Sequence, residues 1–229
     1  MKLFTHSKSQ EGKLNLTSKT TGRILCCVSL IKEVIMDKKE IRKNEIIRDS
    51  INVMHLKGYN STSVNDIAVA AGIPKGSFYN YFKNKEHYAV DAIEYYKNIM
   101  TEDWRAFLSK QEFTPLEGVV GFFENAIDMF LNNEYKLGCF VGNLAQEMGD
   151  ISEAISSAVA TFYCDIVGLV LEELSKAKES GELTTEVDLS TLASYLISSW
   201  QGALLRSKGA RDRQVLEDFL TVINSVILI

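Results

Sequence analysis

The sequence has few of the residues that interrupt helices or that build metal and disulfide sites. Its 229 residues include two prolines, four cysteines and three histidines. The histidines are scattered and the cysteines form no C-x-x-C pair, so we predict no metal site and no cofactor. Four cysteines without a signal peptide indicate a reducing cytoplasm rather than a disulfide framework. The apolar tract ILCCVSLI at 24–31 is too short to cross a membrane, so no membrane partner is predicted.

Catalytic motifs are missing as well. No Ser/His/Asp order, phosphate-binding glycine loop, dinucleotide fingerprint or paired carboxylate site stands out. We therefore predict that the chain is not an enzyme.

Long alternations of apolar and polar residues are absent, which argues against a β-sheet. The chain is rich in Leu, Ile, Ala, Glu and Lys, so we predict an all-α protein with one or two domains. Asp150 with Glu153 has the pattern of a capping box before the longest helix, and Asp188 would cap the next. The periodicity predicts helices at about 38–57, 63–71, 75–82, 85–109, 116–133, 139–149, 151–180, 188–207 and 211–228.

Residues 61–87, STSVNDIAVAAGIPKGSFYNYFKNKEH, predict two short helices joined by a glycine turn. Ser63 and Asp66 have the spacing of a capping box. Gly72 tolerates the left-handed conformation at a helix end, and Pro74 suits the beginning of the next helix. The segment is therefore a candidate helix-turn-helix.

The second short helix carries groups that bind nucleic-acid backbones. Phe78 and Phe82 fall on one inward face, and Gly76 permits close approach to another surface. The rest of the surface carries Lys75, Ser77, Tyr79, Asn80 and Tyr81. Such side chains are common phosphate donors, and the second helix of this motif enters the DNA major groove. From spacing alone, the alternative is a tight helical hairpin with tyrosines on its surface.

The run TSVNDIAVAAGIPKGSFYNYFKNKE resembles the DNA-binding signature of the TetR family of one-component repressors. The family pattern is T-[ST]-V-x-D-I-A-x-x-A-G-[VI]-x-x-G-[ST]-[FL]-Y-x-[YH]-F-x-x-K. This sequence fits it at Thr62, Ser63, Val64, Asp66, Ile67, Ala68, Ala71, Gly72, Ile73, Gly76, Ser77, Phe78, Tyr79, Tyr81, Phe82 and Lys85.

The resemblance implies a set of DNA-contacting residues. Contacts with bases or backbone are assigned to Lys75, Ser77, Asn80 and Tyr81, phosphate contacts to Tyr79 and Lys85, and backbone contacts from the first helix to Ser63 and Asn65.

Charge is distributed unevenly along the chain. Residues 36–90 contain nine Lys/Arg against six Asp/Glu, whereas residues 91–229 contain ten against twenty-two. A mildly basic N-terminal part on an acidic body is consistent with phosphate contacts confined to that part. For the acidic helices, ordinary solvated charge is the simpler interpretation.

The last two predicted helices indicate pairing between two copies. One broad face of the first carries apolar residues, and the chain ends in LEDFLTVINSVILI. A homodimer through an antiparallel four-helix bundle would cover these residues, and it resembles how the family dimerises. Burial within the same subunit is the alternative. The predicted interface residues are Leu192, Tyr195, Leu196, Phe219 and Ile223. Two recognition helices about 34–36 Å apart would read an inverted repeat in double-stranded DNA.

The middle of the chain is the predicted effector-binding part. Its aromatic residues are candidate cavity walls, with plain core as the alternative: Trp104, Phe122, Phe123, Phe130, Phe140, Phe162, Tyr163 and, further along, Trp200. The predicted effector-binding or sensing residues are Phe123, Cys139, Asn143, Glu147, Trp200 and Lys208.

The segment KLGCFVGNLAQEMGD at 136–150 resembles the NemR-like TetR subfamily, which includes repressors that respond to electrophiles and oxidants through a cysteine. Cys139 is at the matching position. Because it opens a predicted helix, amide dipoles are expected to lower the pKa of its thiol. Cys164, inside the longest helix, is interpreted as a buried small hydrophobe. Noncovalent binding of an apolar ligand is the alternative to cysteine sensing.

Together these features predict a transcriptional repressor that binds its operator as a homodimer. A small apolar or electrophilic effector, or modification of Cys139, would release it, with the helix at 85–109 as lever. A helical adaptor without DNA binding and an activator of the same family are alternatives. The predicted domains are a DNA-binding domain at 36–84 and a ligand-binding and dimerisation domain at 85–229. Residues 1–35 do not fit the family pattern and are interpreted as a poorly ordered arm or a misassigned start.

Overall fold

The computed structural model describes residues 38–109 and 113–227. The chain divides into two units, Met1–Arg42 and Lys43–Ile229, and the description below concerns the second. The prediction for residues 1–35, which include Cys26 and Cys27, lies outside the described residues.

The described part of the chain contains nine α-helices and no strand, which confirms the all-α prediction. We refer to residues 43–84 as the head and to residues 85–227 as the body. The helices are α1 Lys38–Lys57, α2 Val64–Ala70, α3 Lys75–Phe78, α4 Lys85–Ser109, α5 Pro115–Asn132, α6 Phe140–Met148, α7 Glu153–Glu179, α8 Leu189–Ala210 and α9 Gln214–Ile227.

Local sequence explains many of the helix ends. At α2, the Ser63 hydroxyl accepts the Asp66 N–H at 3.1 Å and the Asp66 carboxylate accepts the Ser63 N–H at 2.8 Å, which confirms the capping box. Gly58, Gly72 and Gly181 follow α1, α2 and α7 with φ of 81°, 63° and 76°. Glycine adopts this left-handed conformation without steric penalty, so it ends these helices.

Several predicted helix ends differ from the observed ones: α8 continues to Ala210 instead of ending at 207, α9 begins at Gln214 instead of 211, and two further differences concern α7 and α3. The N-cap of α7 is Ser152, whose hydroxyl accepts the Ile155 N–H at 3.1 Å, and Asp150 lies in the preceding turn. An N-cap must directly precede the first helical residue in extended backbone, which Ser152 does. The second difference is α3, which ends at Phe78 and is followed by turns instead of continuing to residue 82.

A cluster of aromatic residues joins the head to α4. Phe78 and Phe82 are fully buried, as predicted, with ring centroids 6.0 and 5.1 Å from that of Tyr88 on α4. The Tyr88 hydroxyl lies 2.8 Å from the Ser50 hydroxyl on α1. These contacts fix α1 and the helix-turn-helix against the beginning of α4.

Helix α7 is the centre of the body. It contacts α4, α5, α6 and α8 and buries Ile155, Phe162, Val170 and Leu174. The length of α7 and the mean hydropathy of 1.8 of one 18-residue window would by themselves permit a membrane span, and 22% of that window is buried. The buried residues of α7 form part of the core between the packed helices. Helix α9 packs against α8 and α5.

Candidate DNA-binding surface and effector cavity

The predicted DNA-contacting residues of the helix-turn-helix lie mostly at the surface. Ser77 and Tyr81 are partly buried, whereas Ser63, Asn65, Lys75, Gly76, Tyr79 and Asn80 are exposed. A Cβ added at Gly76 would meet no atom within 4 Å. The backbone of α3 is therefore open to close approach by another molecule.

Lys85 is engaged inside the protein, contrary to the phosphate contact implied by the family resemblance. Its ammonium group donates to the carbonyls of Tyr59 and Thr62 at 2.8 and 2.9 Å and lies 4.1 Å from the centroid of the Tyr59 ring. Burial lowers the pKa of Lys85. Its role is to attach the loop before α2 to the beginning of α4.

A cavity of about 640 Å³ lies in the body, between α4, α5, α7 and α8. Asn52 and His55 of α1 also line it. Of the predicted aromatic walls, Phe140 is 1% exposed and belongs to the core beside the cavity. The others all line it: Trp104, Phe122, Phe123, Phe130, Phe162, Tyr163 and Trp200. The prediction of an aromatic cavity is therefore supported for all of these except Phe140.

Polar groups gather around Cys139, which is partly buried and lines the cavity. The thiol accepts the Gly142 N–H at 3.3 Å, and the side chains of Tyr163 and Gln201 also interact with it. Burial nevertheless raises the pKa of the Cys139 thiol, and these hydrogen bonds offset only part of the rise. The prediction of a lowered pKa is wrong, because loss of hydration outweighs the amides at the start of α6.

His55 is a cavity residue that the sequence analysis missed. Its ring is edge-on to Tyr96 and Phe140, with centroid distances of 6.3 and 5.5 Å, and Nε2 lies 3.1 Å from the Gly138 carbonyl oxygen. A carbonyl only accepts, so Nε2 carries the hydrogen. Burial lowers the pKa of His55 to about 4, to which the Lys208 charge contributes. No local pattern marks this residue, because its hydrogen-bond partner lies 83 positions away.

Three predicted effector-binding residues lie outside the cavity lining. The Asn143 amide and the Lys208 ammonium group donate to the Leu137 carbonyl at 3.1 and 3.0 Å. Glu147 accepts hydrogen bonds from the head. In this structure the polar atoms of all three bind backbone groups of the chain itself instead of facing the cavity.

Most of the predicted dimer-interface residues are covered by their own chain. Only Tyr195 is exposed, at 58%, and the others are at most 7% exposed: Leu192, Leu196, Phe219 and Ile223. In the single chain, α9 and the rest of the body cover these four side chains. Burial within the subunit, the alternative stated above, accounts for their apolar surface.

Cys164 is exposed, so its interpretation as a buried hydrophobe is also wrong. It lies on the side of α7 that faces away from the core, next to the exposed Asp165.

An exposed helix-turn-helix attached to an all-helical body with a mostly apolar cavity is the architecture of a ligand-responsive, DNA-binding regulator. Two protein-family models match the chain. The model described as "Bacterial regulatory proteins, tetR family" matches residues 46–87, and the model described as "Tetracyclin repressor-like, C-terminal domain" matches residues 115–223. The chain belongs to the TetR family of transcriptional regulators.

Similar proteins include characterised regulators. The transcriptional repressor DhaR of Mycobacterium sp. strain GP1 is 28% identical over 81% of this chain and 92% of its own length. The transcriptional regulator AcuR of Cereibacter sphaeroides is 31% identical over 71% of this chain and 74% of its own length. The crystal structure of reduced Escherichia coli NemR has a TM-score of 0.74 at 22% identity and covers 81% of this chain and 97% of that one. These relatives are regulators, so the prediction that the chain is not an enzyme is confirmed.

Proposed function

We propose that the protein represses transcription in the cytoplasm by binding an inverted-repeat operator as a homodimer, and that a small molecule in the cavity releases it. The observation that carries this proposal is the pairing of an exposed helix-turn-helix with a cavity that two residues of α1 help to line. A ligand there contacts both the body and the helix that supports the head. We place the boundary between the DNA-binding and effector domains at residues 84 and 85, where α4 begins.

The proposed DNA contacts are made by the exposed residues of α2, α3 and the turn after α3. Lys75 and the open backbone at Gly76 approach the major groove, and Tyr79 and Asn80 bind backbone or bases. Ser63 and Asn65 contact phosphates from the beginning of α2, where the amide dipoles also favour an anion. Ser77 and Tyr81 complete this surface as partly buried contributors.

The proposed dimer contact is the outer face of α8 and α9. Tyr195, Leu205 and Val222 are 58%, 51% and 48% exposed, although they are apolar. A Cβ at Gly202 would meet no atom within 4 Å, so the surface of α8 is open there for a second helix. Pairing through a two-fold axis would cover these residues and place two recognition helices on one DNA duplex.

The proposed effector is a neutral, mostly apolar molecule with a hydrogen-bond acceptor. The cavity wall is largely apolar, with many aromatic side chains, and its charged residues, Asp103 and Lys136, are exposed. At the inner, polar end, the Tyr163 hydroxyl and the Gln201 amide can donate to a carbonyl oxygen. A volume of about 640 Å³ lies in the usual range for small-molecule sites.

Cys139 would add covalent sensing of the same class of molecule. An electron-poor alkene beside a carbonyl can accept the thiol, with an S–C bond formed at one alkene carbon and the thiol proton transferred to the other. The raised pKa of Cys139 keeps the thiol protonated at neutral pH, so binding in the cavity has to hold the reactive carbon against the sulfur.

The test of DNA binding is a mobility-shift assay with the DNA upstream of the protein's own gene. We expect the wild-type protein to shift this fragment, and Tyr79→Ala to weaken binding about tenfold through loss of a backbone contact. Ile151→Ala, at a 73% exposed residue of the body, is the control. Failure of the wild-type protein to bind would favour an adaptor role.

The test of cysteine sensing compares Cys139→Ser with the wild-type protein on that fragment. An α,β-unsaturated aldehyde should release wild-type protein from DNA and leave the variant bound, while the dimer persists in both. Cys164→Ser is the control because it removes the exposed thiol. Release of the Cys139→Ser variant by the aldehyde would show that the cavity senses without this thiol.

A further inference from the structure

The loop between α1 and α2 is held from two sides by charged groups. We call residues 58–62 the head loop. On one side, the Lys85 ammonium group binds the carbonyls of Tyr59 and Thr62. On the other, the Glu147 carboxylate of α6 accepts the N–H groups of Tyr59 and Asn60 at 3.1 and 2.9 Å. Both hydrogen-bonding faces of this short backbone segment are therefore occupied by the body.

Gly58 provides the space for the carboxylate. Its φ is 81° and a Cβ there would overlap Oε1 of Glu147. Two successive N–H groups after a left-handed residue form a concave anion site of the kind that backbone nests provide. Because the acceptor is ionised, these hydrogen bonds are stronger than bonds between neutral groups.

The opposite end of the same helix borders the cavity. Leu137, Gly138 and Cys139 line it, and Cys139 is the N-cap of α6. Helix α6 runs from Phe140 to Met148, so about 12 Å of rigid helix separates the cavity from Glu147. A displacement at the cavity end is transmitted along such a short helix instead of being absorbed in it.

The loop before α6 holds an unfavourable backbone conformation. Glu134, Tyr135 and Leu137 have φ of 56°, 60° and 71°, a region that side chains with a Cβ disfavour. The Leu137 carbonyl is held by Asn143 and Lys208, and the Gly138 carbonyl by His55. Contacts from three helices therefore maintain the strained loop that sets the position of α6.

We propose that Glu147 is a positioning residue for operator binding, which fastens the head loop to α6 and passes movements of the cavity wall to the head through α6. This inference rests on the proposed DNA-binding function. It assigns to a single carboxylate the connection between the effector-binding wall and the beginning of the helix-turn-helix.

The first test measures binding to DNA that the wild-type protein selects from a random-sequence pool. Glu147→Ala removes both acceptors and is expected to weaken binding about tenfold, since two charge-assisted bonds no longer order the head loop. Glu147→Gln, which keeps the size but not the charge, should give an intermediate loss. Gln146→Ala, at the exposed neighbouring position of α6, is the matched control and should bind like the wild-type protein.

Hydrogen exchange distinguishes positioning from a general loss of stability. In Glu147→Ala the amides of Tyr59 and Asn60 should exchange faster, while those in the middle of α7 keep the wild-type rate. Uniformly faster exchange through the body would overturn the proposal in favour of a purely structural role.

A double-mutant cycle tests the route. Lys208→Met removes one of the two donors to the Leu137 carbonyl at the cavity end of α6, and it should weaken DNA binding severalfold in the wild-type background. In the Glu147→Ala background the same substitution should have little further effect, because the connection to the head is already cut. Additive losses, or no loss from Lys208→Met, would overturn the relay through α6.

The experiments distinguish an error in the proposed DNA-binding function from an error in the role of Glu147. If the wild-type protein selects no DNA, the proposed function is wrong. If it selects DNA and Glu147→Ala binds that DNA equally well, only the role of Glu147 is wrong.

Discussion

At the scale of single residues, burial decides the chemistry of the groups around the cavity. His55 and Cys139 both carry ionisable side chains, and burial favours the neutral form of each. The cavity therefore presents a neutral imidazole and a neutral thiol. A permanently charged ligand would find no buried counter-charge among these groups, which is why we favour a neutral effector.

His55 makes stability depend on pH in a defined window. Its pKa falls from 6.5 in the unfolded chain to about 4 in the folded one. Above pH 6.5 the His55 imidazole is neutral in both the folded and the unfolded chain. Between pH 6.5 and 4 it is protonated only in the unfolded chain. The free energy of unfolding should therefore decrease as the pH is lowered from 6.5 to 4, by at most about 3 kcal/mol.

Urea unfolding at several pH values between 4 and 7 measures this effect. His55→Gln keeps a donor for the Gly138 carbonyl and should show a smaller decrease than the wild-type protein. Equal pH dependence in the two proteins would contradict the assignment to His55.

At the scale of elements, local signals located the helices but left some ambiguity about their ends. The head is the clearest case, because glycine and a Ser–Asp capping box mark the ends of α1 and α2 within a few residues. Before α7, two capping patterns overlap, and the extended backbone of Ser152 decides between them. The left-handed loop at 134–138 had no sequence signal apart from Gly138, since Leu137 and Tyr135 adopt that conformation only under tertiary contacts.

The cap of α7 gives a direct comparison between the two candidates. Ser152→Ala loses the bond from the Ile155 N–H and the bond to the Glu86 carboxylate at 2.5 Å, so unfolding should become easier by about 1–2 kcal/mol. Asp150→Ala should change it by less than about 0.5 kcal/mol, as is usual for an exposed residue. Denaturant titration of both variants provides the measurement, and a larger loss for Asp150→Ala would contradict the assignment.

At the scale of the whole molecule, the exposed apolar residues of α8 and α9 need a partner. Tyr195→Glu or Leu205→Glu would place a charge in the proposed two-fold contact. Without a partner charge this should raise the dimer dissociation constant at least about a hundredfold. Operator affinity should fall as the dimer dissociates, because one head alone binds DNA weakly.

Sedimentation equilibrium measures the dimer dissociation constant. The control is Ile151→Glu, which changes an exposed apolar residue outside α8 and α9. Since Tyr195 and Leu205 are more than half exposed in one chain, the variant monomer should keep the wild-type helix content, while its melting temperature should no longer rise with protein concentration. Dimers that persist in both variants would show that the two copies meet elsewhere.

Local periodicity and a dense motif within 61–87 were sufficient to predict the helices, the helix-turn-helix and the family. The aromatic side chains between 104 and 200 were candidate cavity walls, with plain core as the alternative. Helix packing was needed to show which apolar faces are covered, that Lys85 and Glu147 bind the head loop, and that burial raises the pKa of the Cys139 thiol. Burial and hydrogen bonds between groups tens of residues apart depend on how the helices pack, and the spacing of residues along one helix does not contain that information.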